Sequence, residues 1–324
     1  MKVAKLKRAF GNKHIMRDMV TGFFVKLFRA LFILGLCYLF LFPVYYFIVT
    51  AIQDPLTAKS SLVVWIPSKF TLENFIRAMD LMRYRETIML SISITLISTA
   101  AMMISCSLAG YGFARFEFFE KKLAFALVVL IIIVPPQTIM IPSFVNFRYF
   151  DVLGIINATS RFTGVDHINF LNTVWPFTLP SLFASGLRAG LFIFIFRQFF
   201  TNLPKELEEA ARIDGCGAFK TFGRIIVPLT GPAFLTVMLF SLVWHWNETY
   251  LTGLYFTELR PVSSQLSLLL RLFTADFVHQ RWTITQMRGG LAAGSLLMIA
   301  PPLMLYAFTQ RYFTESIERA GIVG

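Results

Sequence analysis

Charge is scarce in this chain: of 324 residues only 15% are Asp, Glu, Lys or Arg, and acids are outnumbered 18 to 30. Water-soluble domains carry about 25% charged residues, so the shortfall argues against a soluble globular protein. Groups that do chemistry are equally sparse. The three cysteines, Cys37, Cys106 and Cys216, show neither a disulfide framework nor metal-ligand spacing. The four histidines, His14, His167, His245 and His279, lie far apart. No GxxxxGK[ST], HExxH or GxSxG sequence occurs, which excludes the usual phosphate cradle, zinc-protease helix and nucleophile elbow. The chain therefore has no assigned catalytic residue and no metal site, and it is not read as an enzyme.

What is abundant is apolar surface, 56% of residues with 16% aromatic, gathered in blocks. A helical span takes about 20 apolar residues, and six blocks reach that length: Ala30–Val49, Ile88–Ala114, Leu123–Phe147, Phe170–Phe196, Pro228–Phe256 and Gly289–Thr309. Arg188 interrupts the fourth. Backbone polar groups in lipid need internal partners, and no ten-residue alternation suggests a barrel, so the spans are predicted as helices. The fold class is an all-α polytopic membrane protein with six transmembrane helices.

An even count puts both termini on one side. The basic segment 1–29 carries Lys2, Lys5, Lys7, Arg8, Lys13, Arg17, Lys26 and Arg29 against Asp18 alone, which predicts a cytoplasmic N-terminus. The loop with Lys59, Lys69, Arg77, Arg83 and Arg85 is also basic and falls outside, so the orientation rests on the flank of the first span. That span lacks a small-residue cleavage site and reads as retained rather than as a signal peptide. Residues 30–314 are then the membrane domain and 315–324 a cytoplasmic tail. The stretches between spans, Ala51–Thr87, Arg148–Asn169, Arg197–Val227 and Thr257–Arg288, are too short for a soluble domain of roughly 50 residues. Any soluble engine is another polypeptide. The net charge of +12 sits largely beside helix ends, pointing to the lipid bilayer and not to nucleic acid as its partner.

Prolines punctuate several spans: Pro43, then Pro135, Pro136 and Pro142, then Pro176 and Pro180, then Pro301 and Pro302. Each removes a backbone donor and is expected to kink or break its helix. Two readings stand open, the ordinary frequency of proline in membrane helices and a path that must open and close.

The segment Leu203–Pro232, LPKELEEAARIDGCGAFKTFGRIIVPLTGP, is the most polar stretch between the apolar blocks. Pro204 suits a helix start, and Glu206, Glu208 and Glu209 suit the first turns. Gly215 can end the helix in a left-handed conformation. A helix of about three turns follows, with Glu208 and Arg212 four apart and Leu207, Ala210, Ala211 and Asp214 on one face. A second short helix carries Phe219 and Phe222. The segment is either a solvated connector or a surface for another protein to grip.

Its run Glu209-Ala210-Ala211-Arg212-Ile213-Asp214-Gly215, with Ile226, Pro228 and Pro232 beyond, resembles the EAA motif of permease subunits in bacterial ABC importers. Arg197-Gln198-Phe199-Phe200 before it is similar to the approach in carbohydrate-uptake permeases of the maltose type. So are Ala109–Phe116 (AGYGFARF), Trp246-Asn247-Glu248, Phe70-Thr71-Leu72-Glu73-Asn74 and Gln310-Arg311-Tyr312-Phe313. Together these reach from about Leu62 to near the end. The resemblance implies an ABC type I importer permease in a bacterial cell membrane. It further implies a second homologous permease, two cytoplasmic ATPase subunits that hold ATP and magnesium, and an extracytoplasmic solute-binding protein. This chain then needs no cofactor of its own. It implies a coupling loop over 201–228, with Glu209, Ala210, Ala211, Asp214 and Gly215 docking the ATPase and the tail Glu315–Gly324 touching it. The segment near Asn157–Leu171 is longer than the family pattern, and Cys216 replaces a smaller Ala or Ser.

Trp244, Trp246, Asn247 and Glu248 of the fifth block, with Arg188, are the candidates for a solute path, since polar groups at membrane depth face the bundle interior or water. Asn247 and Glu248 suit sugar hydroxyls, and a Trp ring suits a sugar's apolar face. The other reading is helix-to-helix bonding, with Arg188 paired to Glu248. Gly290 and Gly294 read as a packing pair. The solute is expected to be a sugar or oligosaccharide; the alternatives are a non-sugar solute in the same type of importer, or an ATP-independent channel or scaffold.

Overall fold

The computed structural model describes the backbone over residues 13–56, 65–67, 69–278 and 283–321, and side chains within 21–56, 65–67, 69–161, 163–273 and 283–311. Lys2, Lys5, Lys7, Arg8, Lys59, His279 and the last three residues of the tail lie outside the described residues. So do the side chains of Lys13, His14, Arg17, Asp18, Tyr312, Phe313 and Glu315.

The described α-helices are α1 (Lys13–Ile52), α2 (Glu73–Leu81), α3 (Tyr84–Arg115), α4 (Lys121–Ile133), α5 (Met140–Arg148), α6 (Ile155–Thr163), α7 (Trp175–Leu182) and α8 (Ala189–Thr201). They continue with α9 (Glu206–Ile213), α10 (Ala218–Thr221), α11 (Val227–Leu229), α12 (Gly231–Asn247), α13 (Tyr250–Tyr255), α14 (Val262–Val278) and α15 (Ile284–Gly321). Among the described residues, extended pairing is limited to the isolated bridges Gln53 with Phe70 and Phe150 with Ile168.

Among the described residues, three helices are long and apolar enough to cross a membrane, over Thr21–Ile52, Tyr84–Arg115 and Ile284–Arg311, and the number rises to five if each of two bent pairs is one span. One pair is Lys121–Ile133 with Pro136–Arg148, bent by 96°; the other is Ala218–Leu229 with Gly231–Asn247, bent by 81°. The block Phe170–Phe196 is not one helix. It divides into α7 and α8 around a turn in which Ala184 and Arg188 have φ of 51° and 63°. The prolines also behave unequally. Pro135 and Pro136 stand at a real break, whereas Pro43 lies inside α1, and Pro301 and Pro302 inside α15. A membrane helix can carry an interior proline when neighbouring groups re-satisfy the freed carbonyl.

Two compact units are formed, one within Met1–Ile76 and Thr283–Leu296 and the other within Arg77–Trp282 and Leu297–Gly324. In the first, the FTLEN sequence has a structural use. Asn74, fully buried, donates from Nδ2 to the carbonyls of Ala51 and Gln53 at 2.9 Å each, tying the start of α2 to the end of α1. A Cβ on Gly289 would lie 2.6 Å from Asn74 Oδ1, so only glycine admits that contact. Beside it, Asp54 accepts from the Leu56 amide at 2.9 Å and pairs with Lys69 at 3.2 Å. These two, the amide first, hold its carboxyl below the ordinary carboxylate range.

The second unit is built on α3, which packs chiefly against α8, α12 and α7. Small residues permit the approach: a Cβ on Gly110 would stand 2.6 Å from Phe196 Cβ, and one on Gly190 would stand 2.8 Å from the Val128 carbonyl of α4. With no hydrophobic gain between helices in lipid, such close backbone packing is what holds them. Phe192, Phe196, Phe200 and Met102 fill the core that results, with Val237 and Ile226. The segment after α5 contains α6, near whose start the amides of Ile156 and Asn157 donate to the Asp151 carboxylate at 2.8 and 3.4 Å.

Candidate functional site

α9 is two turns long, shorter than its sequence suggests, and its end is set by backbone geometry. Gly215 adopts φ of 77°, the Gly215 amide donates to the Arg212 carbonyl at 3.0 Å, and the Cys216 amide donates to Ala211 at 2.8 Å. This pair of bonds is the Schellman termination, which demands a residue at ease in the left-handed region. The three acids of the first turn face the positive helix end.

The faces of α9 differ from those expected. Its buried residues are Glu208, 6% exposed, and Ala211, 3% exposed. Ala211 therefore does not share an outer face with Ala210 and Asp214. Nor does Glu208 pair with Arg212 on the surface. Its Oε1 lies 2.6 Å from Arg115 Nε at the end of α3, and its Oε2 accepts from Tyr111 Oη at 3.2 Å. Arg115 Nη2 also donates to the Leu203 carbonyl at 2.8 Å. A buried ion pair is tolerated only with further hydrogen bonds to its charges, and here Tyr111 gives one to Glu208 and the Leu203 carbonyl takes one from Arg115. Past Gly217, Phe222 packs on Tyr111 at 5.0 Å and Phe200 at 6.1 Å between ring centres, and Ile226 is fully buried.

The loop is thus pinned at Glu208 and at Phe222. Between these pins it presents Glu209, Ala210, Arg212, Ile213, Asp214, Gly215 and Phe219 outward. Ile213 is 86% exposed and Phe219 84%, an apolar pair left uncovered by the described residues. Tyr111 and Arg115 are partners of this loop that its own sequence does not announce. The available signal was their spacing of four at the end of a span, which puts a phenol and a guanidinium on one helical face.

The path candidates separate into two groups. Trp244 and Arg188 stand at the junction of two adjoining cavities of about 330 and 200 Å³, both bordered by Pro136 and Leu251 as well. The Arg188 guanidinium sits 5.6 Å from the Trp244 ring centre, and that ring stacks on Phe192 and Phe240 at 5.5 and 5.4 Å. Asn247 and Glu248 border the smaller cavity. Asn247 Nδ2 donates to the Val243 carbonyl at 2.9 Å. Glu248 occupies the break after α12, where its Oε1 accepts from the Tyr250 and Leu251 amides at 2.8 and 3.0 Å and so caps α13. An Arg188–Glu248 ion pair is not among those formed by the described residues. Trp246 borders neither cavity. It is buried, and its Nε1 donates to the Met298 carbonyl at 3.1 Å.

This division gives a testable contrast. Trp246→Phe loses one hydrogen bond, about 1 kcal/mol, and should lower the melting temperature in detergent while leaving transport near wild type. Trp244→Ala should depress transport itself, because it empties the wall shared by the two cavities. Equal transport by both variants would remove Trp244 from the path.

The family model described as "Binding-protein-dependent transport system inner membrane component" matches residues 101–319. The chain is 29% identical over 306 residues to the osmoprotective compounds uptake permease protein GgtD of Synechocystis sp., covering 92% of each. It is 28% identical over 265 residues to the arabinooligosaccharides transport system permease protein AraQ of Halalkalibacterium halodurans, covering 81% of this chain and 83% of that one. It is 29% identical over 261 residues to the melibiose/raffinose/stachyose import permease protein MelC of Bacillus subtilis, covering 80% and 84%. Among solved structures, a chain of a bacterial ABC transporter involved in the import of the acidic polysaccharide alginate superposes with a TM-score of 0.67 at 17% identity, over 92% of this chain and 98% of that one.

Proposed function

The chain belongs to the inner membrane component family of binding-protein-dependent transport systems, and from that premise we propose that it passes a sugar or oligosaccharide across a bacterial cell membrane. In this reading an extracytoplasmic binding protein delivers the solute, a second homologous permease completes the path, and two cytoplasmic ATPase subunits holding ATP and magnesium drive it. Six spans with both termini in the cytoplasm put the basic segment 1–29, the loop 201–228 and the tail 315–324 on the ATPase side of a membrane domain over 30–314. The observation that carries the reading is α9, rigidly pinned to α3 through Glu208 and Arg115 yet exposing Glu209, Ala210, Ile213, Asp214 and Gly215. The ATPase would grip those residues. Any movement of α9 is then handed to α3 and to the helices packed on it. The names of the relatives support a carbohydrate solute, while the osmoprotectant relative keeps a non-sugar solute as the second reading.

The test is uptake of a labelled oligosaccharide by proteoliposomes holding this chain with its partner permease, ATPase and binding protein. Accumulation that needs both ATP and the binding protein is the expected result. Flux indifferent to ATP would favour a channel and defeat the proposal.

A further inference from the structure

Arg197 and the turn between α3 and α4 form a second site, separate from the loop and the cavities. An open cleft of about 610 Å³ is bordered by Lys121, Lys122, Phe125 and Arg197, with Glu117 and Glu120 on its rim. The Arg197 guanidinium carbon stands 4.0 Å from the centre of the Phe125 ring. Its Nε is buried without a hydrogen-bond partner among the described residues. Lys121 is committed to Glu117 at 3.0 Å, so Lys122 and Arg197 remain as two cations facing the single carboxylate of Glu120. No described acid forms an ion pair with either. A half-buried guanidinium in a membrane protein with one enclosed, unpartnered nitrogen calls for an anion.

The surroundings say which anion. α4 has no buried residue, and Leu123, Leu127, Leu130 and Ile131 are exposed along it at helical spacing. That stripe begins at the cleft and follows a 13-residue helix of roughly 20 Å, the length of an acyl chain. At the apex of the turn Phe119 is 89% exposed, in the manner of aromatic residues that anchor at the lipid–water interface. The turn lies at the α9 end of α3, since Arg115 joins the two. Basic pockets between membrane helices on the cytoplasmic side accept anionic headgroups. We propose that this cleft holds the phosphate of an anionic phospholipid, with Lys122 and Arg197 as its ligands and the α4 stripe as the bed of one acyl chain. The proposal does not depend on the identity of the solute.

Its test uses the assembled importer in nanodiscs of phosphatidylcholine doped with phosphatidylglycerol, reading by native mass spectrometry the phosphatidylglycerol retained after release into detergent. Each cation near a membrane surface is worth about fivefold in binding. Lys122→Gln and Arg197→Gln should each lower retention by that factor, and the double variant by about twenty-five-fold. Lys122 is exposed and has no ion-pair partner among the described residues, so its variant keeps the test valid if Arg197→Gln fails to fold. Unchanged retention in Lys122→Gln and the double variant would overturn the proposal. Displacement of the lipid by millimolar inorganic phosphate would indicate a free-anion site instead. Retention that depends on the second permease and not on these side chains would make the stripe a protein–protein face and equally refute it.

Discussion

Arg115→Met should destabilise the protein by about 3–5 kcal/mol, because it leaves the Glu208 carboxylate buried without its counter-charge. The pair is almost wholly enclosed, with 5% and 8% of the two side chains exposed. Little water can therefore replace the lost guanidinium, and Leu203 loses its donor as well. The expected observation is a melting transition in detergent lowered well beyond that of a surface Lys or Arg substitution, together with loss of uptake. The double variant Arg115→Met/Glu208→Leu separates charge burial from geometry. Replacing both partners of a buried pair by apolar residues is often neutral or stabilising, so melting should recover. A single Arg115→Met variant that melts like wild type would show that the clamp is not formed.

The second large effect is expected at Gly215. A side chain there meets open space, with no heavy atom within 4 Å of an added Cβ, yet the backbone stands at φ of 77°. The obstacle is conformational. A β-branched residue in the left-handed region costs about 1–2 kcal/mol, and the helix end relieves that strain by abandoning the Schellman bonds. Gly215→Val should then reduce uptake to background while the chain still inserts, whereas Gly215→Asn, which tolerates the left-handed region, should retain most of it. Glu209→Lys should have the effect of Gly215→Val by another route, placing a cation in the first turn of α9 at the surface offered to the ATPase. Full uptake by Gly215→Val would mean that the shape of this helix end is irrelevant to coupling.

Much of this architecture is legible in the residues. Block length and scarcity of charge point to a helical membrane protein, and Glu206 to Gly215 spell a short capped helix in the right place. Three things are not legible. A local pattern offers Glu208 an obvious partner in Arg212, and nothing in the sequence reports that folding brings Arg115 closer; once Glu208 is buried its charge needs a counter-charge enclosed with it, which Arg115 supplies and the exposed Arg212 does not. The division of Phe170–Phe196 into two helices depends on left-handed conformations at Ala184 and Arg188, which neither residue type favours. Proline marks potential breaks only, and whether Pro43 or Pro301 interrupts its helix is settled by what surrounds it. The family motif at Trp246–Glu248 likewise mixes uses: Trp246 joins helices, Glu248 caps one, and Trp244 outside the motif faces the cavities.

The most direct measurement places a photo-crosslinking residue, p-benzoylphenylalanine, at Ile213, at Phe219 and at Ala211 in the assembled importer. Capture of the ATPase subunit from Ile213 and Phe219, with capture from Ala211 confined to this chain, is the result expected of a loop pinned on one face and gripped on the other. Capture from Ala211 alone, or of no ATPase from any of the three, would contradict it.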